Sequence, residues 1–573
     1  MRVLLLHPED PFPASTSCGD WGMVVDLGRA PISTYEAWAR QAGCKVLSIF
    51  DLAREMEDLR DLRPILSAGM GQMLDHVGID WWDVLSLMIA PDLLNLVLVR
   101  RLTALIPSGS DLYVTRPDAK ADALHRFIGG RLNLLKLRGR PGRRGLSHYA
   151  GRFARLDRAR IVQIAHDKFD PVHLMRRRFS GKARITGSVV LLPSAYINVS
   201  RSEVAYASLM PEKQFLLVCA RGVAKLGKLP KNVNQVSLDG YFVPADKQEE
   251  SSLLQAWQLL RLQLLESGVF DPADNEGWSA RIPSLLRWGL AIRGAWNEVF
   301  ASHDVAGCLS ADDSNPYTRI PLLLARSRGV PALACHHGAL DGWMAAKTHH
   351  EDVYLAKGEM EFDYLVEQCR MQPDRIFVGA PPSILSRVNA NEQRSWLVFF
   401  TEPYLSSAWR NDEVYRDLLP KLVELAKDCG LELVFKIHAF ETVKGTRRML
   451  SQLLGPANRN IRVIEGPISE KLLSKTRFAL TAESSVAVEA ARLAVPIFLC
   501  GWLRDSYCGY MRQYARFGVG RLLETSDQIT QIPNLLDSYG ATAAPERLNR
   551  PIAPEELRQL LSITSTRRAV ADA

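Results

Sequence analysis

No two of the nine cysteines form a Cys-x-x-Cys pair, and the nearest neighbours are Cys500 and Cys508. That scatter argues against a zinc ribbon or a disulfide framework and for a reducing cytoplasm. A clean membrane-spanning run is also lacking. The most apolar stretch, Trp81 to Val99, is broken by Asp83, Pro91, Asp92 and Asn95, and reads as one or two core helices. The opening MRVLLLHPEDPFP has too short an apolar run for a signal peptide and meets Pro8 and acidic residues at once, so it reads as a first strand. Missing too are a GxxxxGK[ST] loop, a GxGxxG after a strand, a GxSxG elbow and an HExxH helix. Any phosphate this chain binds must therefore be held by helix ends and single side chains.

What is present is an ordinary globular composition, 47% hydrophobic and 23% charged, in a chain long enough at 573 residues for two large domains or three ordinary ones. The formal charge of +8 is modest for this size but unevenly placed. From Arg131 to Arg160 nearly every third residue is basic and Asp157 is the only acid. Such a run serves as a solvated loop and helix face, or docks on anionic lipid or a phosphate-rich acceptor. With only Tyr149 and Phe153 as aromatics, it is a poor nucleic-acid surface, so nucleic acid is not the expected partner.

Taken in order, Arg2 to His7 reads as a strand, followed by a loop through Pro31 that contains CGDWG at Cys18 to Gly22. Ser33 reads as the N-cap of a helix to Gln41, Gly43 ends it, and Lys45 to Phe50 is a second strand. Ser110 to Thr115 is a third strand, feeding a helix with Leu124, His125 and Ile128. From about 130 to 300 the pattern weakens and reads as an insertion, with apolar segments at Ser188 to Tyr196 and Gln214 to Ala220 that can be strands, and a long helix near Glu250 to Glu266. Order returns with strand Val305 to Ser310, a helix over Ile320 to Ser327, and strand Val330 to Cys335 ending on His336, His337 and Gly338. Short strands follow at Val353 to Ala356 and Arg375 to Val378. GAPP at Gly379 to Pro382 and the polar stretch Ser386 to Ser395 mark a domain boundary. Beyond it, strands at Trp396 to Thr401, Leu431 to His438 and Ile461 to Glu465 alternate with helices. Arg477 to Cys500, RFALTAESSVAVEAARLAVPIFLC, then reads as strand, turn, helix, strand. The expected fold is α/β: an N-terminal Rossmann-like domain over 1–385, enlarged by an insertion around 130–300, and a C-terminal one over 393–573.

Polar residues concentrate at the strand ends of these expected parallel sheets, where open α/β folds place ligands. One group is Asp312, Asp313, Asn315, Tyr317 and Arg319; a second is His336, His337 and Gly338; a third is Lys436, His438 and Glu441 with Ser484, Ser485 and Glu489. Lys436 and His438 alternate on a strand and would share a face, offering donors to a leaving phosphate, or else are a surface charge and a satisfied strand-end histidine. Ser484 and Ser485 open an alanine-rich helix whose free N–H groups suit an anion, with Glu489 one turn on and in place for ribose hydroxyls. The plainer alternative is an N-cap and a solvated glutamate. Asp312 and Asp313 hold a sugar hydroxyl, act as base, or cap the following helix. Zinc on His336 and His337 is not expected, since adjacent strand residues point apart and only Cys335 lies near; the same holds for His349 and His350.

In order and spacing these residues resemble the GT-B glycosyltransferases of bacterial surface-polysaccharide (capsule and lipopolysaccharide) biosynthesis and their CDP-glycerol glycerophosphotransferase relatives, over roughly Asp304 to Leu503. The carriers are ARSRGVPALACHHG with His337 and Gly338, the turn VGAPP, KIHAF with Lys436 and His438, and Ser484-Ser485 followed by EAARLAVP. The resemblance implies two Rossmann-like domains facing across a cleft and a metal-independent transferase without cofactor. Its nucleotide-sugar donor would be held by Lys436, His438, Ser484, Ser485 and Glu489, with His438 also at the reacting phosphate. The acceptor, a glycan or glycolipid, would meet Asp20, Asp312 and Arg319, and the base would be Asp313, His337 or Asp20, in that order. Ala439 stands where the motif has proline, and Ala482-Glu483 where glycerophosphotransferases have Asp-Tyr, which favours sugar over glycerol phosphate. A CMP- or CDP-linked donor is expected ahead of a UDP-linked one. A cytoplasmic location follows, with peripheral contact at the inner membrane face through Arg131 to Arg160. The alternatives are a glycerophosphotransferase-like polyol-phosphate transferase, a catalytically silent assembly partner of the same fold and, behind these, a nucleic-acid binder.

Overall fold

The structure is a computed structural model describing residues 1–6, 21–27, 44–54, 56–116, 118–135, 180–220, 226–267, 279–340, 343–382, 385, 392–402, 411–439, 441–455, 460–503, 510–540 and 544–562. Asp20, the helix expected after Ser33 and most of the Arg131 to Arg160 run lie outside the described residues.

Among the described residues there are three parallel sheets. The first contains β1 (Arg2–Leu6), β2 (Met23–Asp26), β3 (Lys45–Ser48), β4 (Asp111–Val114) and β5 (Leu132–Leu134), in the order β3-β2-β1-β4-β5. The second contains β6 (Val189–Ser194), β7 (Gln214–Cys219), β8 (Val233–Ser237), β9 (Val305–Ser310), β10 (Ala332–Cys335), β11 (Val353–Ala356) and β12 (Ile376–Val378), in the order β12-β11-β10-β9-β6-β7-β8. The third contains β13 (Trp396–Phe400), β14 (Glu432–Lys436), β15 (Arg462–Ile464), β16 (Thr476–Thr481), β17 (Ile497–Cys500) and β18 (Arg521–Leu523), in the order β15-β14-β13-β16-β17-β18. Numbered by appearance within its own sheet, each runs third, second, first, fourth, fifth. That is the Rossmann order, in which the chain crosses back past its first strand and opens a crevice between first and fourth. The central strands are short apolar runs buried along their length, such as VVLLPS in β6 and WLVFF in β13, as a sheet covered on both faces requires.

The α/β class is as expected, but the division of the chain is not. The described strands of residues 1–135 do not join the sheet that carries the His-Gly strand; they build a sheet of their own, with β2 between the strands read at Arg2 and Lys45. Nor is 130–300 wholly an insertion, because β6, β7 and β8 come from it and β6 pairs with β9 at the middle of the seven-stranded sheet. The C-terminal residues return to that sheet as well. Ile552, Leu557, Leu560 and Leu561 join its core, and Ala380 of the GAPP turn bridges to Pro551. Periodicity marks a strand's existence but not its partner, so the sheets could not be separated from pattern alone. Two compact units result, Met1–Asp58, Leu94–Gly142 and Ile384–Leu548 in one, Leu59–Leu93, Arg143–Ser383 and Asn549–Ala573 in the other.

Trp81–Thr103 is a single helix, and among the described residues the one helix long and apolar enough to cross a membrane. Most of it is buried in protein. Trp81 and Trp82 are fully buried, the Trp82 indole donates to the Leu66 carbonyl at 2.6 Å, and its ring stacks on Trp257 at 6.0 Å. Gly289 makes room for Trp81, since a Cβ there would stand 2.4 Å from the ring. These tryptophans bury large apolar area with their N–H groups satisfied, the arrangement of a core helix.

Candidate functional site

In the seven-stranded sheet the crevice lies where β6 gives way to Tyr196 and β9 to Asp312. β10, next to β9, gives way to His337. The Tyr196 hydroxyl donates to Asp312 Oδ2 at 3.1 Å and lies 3.2 Å from Nε2 and 3.4 Å from Nδ1 of His337. The two rings meet edge to face at 5.0 Å. Tyr196 is also the N-cap of helix Ile197–Ala207 and makes no side-chain capping bond there, where a serine or asparagine would add about 1 kcal/mol. Asp312 is further held by the Ser314 N–H at 2.9 Å, the Ser314 hydroxyl and the Asn315 amide at 3.1 Å. The main-chain N–H of His337 donates to the Ala311 carbonyl at 3.0 Å, and ring Nδ1 faces the same oxygen at 3.4 Å. The Tyr196 hydroxyl, nearly equidistant from the two ring nitrogens, lies off the in-plane lone-pair direction of either, and a proton on Nδ1 would be directed to the Ala311 carbonyl.

The adjacent histidines differ. Burial, then His337 and the ammonium groups of Lys357 and Lys347, push His336 well below the usual histidine range. Burial also lowers His337, together with Lys357, but the Asp312 carboxylate and the Ala311 carbonyl pull it back up. Beneath them lies Glu203, fully buried, with Oε1 accepting the Ala311 N–H at 3.2 Å and Oε2 without a hydrogen bond. Burial, reinforced by Asp312, pushes its carboxyl well above the ordinary range.

Asp313 and Arg319 are placed differently from the sequence reading, which made one a base and the other an acceptor contact. Both are buried, at 3% and 1% exposure, and are engaged with each other and with protein charges. Asp313 pairs with the Lys347 ammonium and with Arg319 Nη1 at 3.3 Å. Arg319 grips Asp83 with both arms of its guanidinium, at 2.9 and 2.8 Å, and donates to the Thr348 carbonyl at 2.8 Å. His350 Nε2 lies 3.1 Å from Asp83. Burial alone would raise the Asp83 carboxyl; Arg319 and His350 overcome it and bring the pKa down to about 2. This is a lock inside one unit, joining the helix that begins at Trp81 to the end of β9. His349 and His350 thus belong to hydrogen-bond and ion-pair contacts, with His349 3.0 Å from Glu351. Among the described residues no group of three or more His, Cys, Asp and Glu is arranged to hold a metal ion.

In the six-stranded sheet the corresponding crevice lies beyond β13 and β16. β14 stops at Lys436, so His438 lies past the strand and its position is set by the loop. The His438 N–H donates to Thr401 Oγ1 at 3.0 Å and Glu441 Oε2 at 2.9 Å, and Thr401 donates to Glu441 as well. Glu441, raised by burial against the pull of Thr401, the His438 N–H and Lys436, pins this loop. Lys436 is buried, with its ammonium donating to the Ile437 carbonyl at 2.9 Å, while His438 is half-buried. Ser484 donates its N–H to Thr481 Oγ1 at 3.3 Å. Helix Val486–Arg492 begins after Ser485, whose hydroxyl makes no capping bond. Glu489 pairs with Arg492 at 2.8 Å. Lys436, His438, Ser484 and Ser485 therefore stand at the ends of β14 and β16, on either side of β13. Tyr196, Glu203 and Thr401 were missed by the sequence reading; a polar or aromatic residue just past an apolar run, as at SAYIN and FFTEP, is the signal that points to Tyr196 and Thr401.

No protein-family model and no curated protein sequence matches the chain. Solved structures with a similar course include MnaA of S. aureus with UDP, at 12% identity and a TM-score of 0.41 over 65% of this chain and 95% of that one. MurG of Acinetobacter baumannii gives 12% and 0.38 over 65% and 99%. CalG4, the calicheamicin glycosyltransferase, gives 14% and 0.36 over 68% and 98%. At these identities and scores nothing of their chemistry transfers to this chain.

Proposed function

We propose that the chain is a GT-B-type glycosyltransferase that moves a sugar from a nucleotide-activated donor, CMP- or CDP-linked ahead of UDP-linked, to a surface-polysaccharide or glycolipid acceptor. The observation that carries the reading is the repetition of one arrangement: two sheets in Rossmann order, each with polar groups just past the strands at its crevice. In the six-stranded sheet His438, Ser484 and Ser485 take the donor phosphates, with Lys436 adding charge beneath them. In the seven-stranded sheet His337 takes the proton of the acceptor hydroxyl. The acceptor oxygen then bonds to the anomeric carbon as the bond from that carbon to phosphate breaks, its electron pair leaving with the nucleotide. The motif order HHG, VGAPP, KIH and SS supports the same assignment, which would place the protein in surface-glycan assembly at the inner membrane face.

A thermal-shift screen with CMP, CDP and UDP on the wild type and on His438→Ala tests it. Stabilisation by at least one nucleotide, weakened by the substitution, is expected. No stabilisation of the wild type by any of the three removes the donor site. One observation favours a second reading, a catalytically silent partner of the same fold: Asp313 and Arg319 are consumed by ion pairs. That reading expects no nucleotide to bind.

A further inference from the structure

Phe400, the last residue of β13, and Thr401 after it hold the loops on both sides of that strand. On the β14 side, Thr401 Oγ1 accepts the His438 N–H at 3.0 Å and donates to Glu441, whose Oε2 also accepts that N–H at 2.9 Å. On the β16 side, Thr481 Oγ1 donates to the Phe400 carbonyl at 3.2 Å and accepts the Ser484 N–H at 3.3 Å. Both threonines are buried, and each makes a bond that crosses to the neighbouring strand or its loop, over 37 and 81 positions of chain. One hydroxyl, donor in one direction and acceptor in the other, thus registers each loop to the end of β13. Threonine suits such a post, because branching at Cβ restricts χ1 and lets the backbone set the direction of the hydroxyl. The main-chain N–H groups of His438 and Ser484 are taken by these bonds, so what the two residues can offer a phosphate is the imidazole and the hydroxyl.

We propose that Thr401 and Thr481 are matched positioning residues, which set His438 and Ser484 at a fixed spacing on either side of β13. This deepens the donor-site reading and rests on it for what the spacing serves; the placement itself is a property of the protein without ligand. A fixed spacing is what a phosphate-binding pair needs, since its donors then meet the charge without reorganising. It also accounts for two buried threonines at the ends of adjacent strands, where valine would fill the same volume without a hydroxyl to satisfy.

Hydrogen-exchange mass spectrometry of the full chain without nucleotide reads the placement, on peptides spanning His438 and Ser484. Thr401→Val keeps the shape and removes the hydroxyl. It should speed exchange at the His438 loop about three- to tenfold, because Glu441, the other acceptor, is itself held by that hydroxyl, and should leave the Ser484 turn as in wild type. Thr481→Val should do the reverse. Thr401→Ser and Thr481→Ser, which retain the hydroxyl, should stay close to wild type. Calorimetry with CMP, CDP and UDP reads the consequence, and each valine variant should raise the Kd of the bound nucleotide about three- to tenfold. Thr401→Val should add nothing further in His438→Ala, nor Thr481→Val in Ser484→Ala, because each threonine acts through the residue it holds. Loop exchange unchanged in both valine variants overturns the proposal. So does exchange that rises throughout the six-stranded sheet, the mark of general loosening, and so do full, independent losses of affinity in the double variants. Should Thr481→Val fail to fold, Thr401→Val decides by the same criteria. If the wild type binds none of the three nucleotides, the donor-site reading falls and the exchange result alone decides the placement.

Discussion

Past the end of β9, Asp312 and Asp313 are almost wholly buried, and the donors around them are supplied by the protein's own side chains and main chain. Past the end of β14, by contrast, His438 is half-buried and is placed through its main-chain N–H, with Thr401 and Glu441 as acceptors. The two edges share a strand order and differ in how they treat charge. At the seven-stranded edge the ions are buried and held by one another. The six-stranded edge fixes its loop through a main-chain N–H instead.

The harshest way to break the contrast is to remove the centre of the buried network. Arg319→Met leaves Asp83 and Asp313 buried with one cation fewer, and should lower stability by about 3–5 kcal/mol, read by urea unfolding. The pH course of the wild type carries the same information. The Asp83 carboxyl is held at about 2, so the stability it contributes is complete above the unfolded carboxylate's pKa and is lost as pH falls toward 2. In Arg319→Met that acid-side loss should shrink, because the folded and unfolded values draw together. An unfolding midpoint within error of wild type would mean that the network is not a lock.

How far these edges were legible in the sequence follows the same divide. Polar residues just past apolar runs were visible, and they located Asp312, His337 and Lys436 at strand ends, whereas His438, read as the last residue of its strand, lies in the loop after it. What Asp313 and Arg319 do was not visible, since Arg319's partner Asp83 precedes it by 236 positions, on a helix where the sequence shows Asp83 only as a break in an apolar run. Tyr196 was hidden for a different reason: an aromatic beside a buried strand has the pattern of core, and only its hydroxyl's reach to Asp312 separates the two. The existence of strands was largely readable because short apolar runs between glycines and prolines have few other uses. Their allocation to three sheets was not, because β6 finds β9 across more than one hundred intervening positions, about as far as any local pattern is silent.

A gentler change probes the acid under the seven-stranded edge. Glu203 has its pKa raised by burial, so the unfolded chain gives up the proton first; the wild type is favoured below the unfolded carboxyl's pKa and loses stability as pH rises above it. Glu203→Gln retains an oxygen for the Ala311 N–H and has no proton to lose. Its stability relative to wild type should therefore grow with pH by up to about 1.4 kcal/mol per unit, until the wild-type carboxyl ionises. Melting temperatures from pH 4 to 8 measure this. Parallel curves for the two proteins would show that Glu203 titrates as it does in water.

The smallest expected effect sharpens the comparison most, because it separates folding from binding at the six-stranded edge. Ser485 occupies the N-cap of helix Val486–Arg492, but its backbone is already helical, at φ −59° and ψ −18°, and its hydroxyl makes no capping bond. The usual cost of losing a serine cap, about 1 kcal/mol, has no source here, so Ser485→Ala should change stability by less than about 0.5 kcal/mol. If that hydroxyl serves a donor phosphate, the same substitution should reduce stabilisation by the effective nucleotide, with a Kd raised several-fold in calorimetry. A variant as stable as wild type and equally responsive to nucleotide would take Ser485 out of the donor site and leave that role to His438 and Ser484. A variant that loses more than 1 kcal/mol without nucleotide would show that the hydroxyl holds the turn between β16 and the helix, and that this edge, like the other, spends its polar groups on itself.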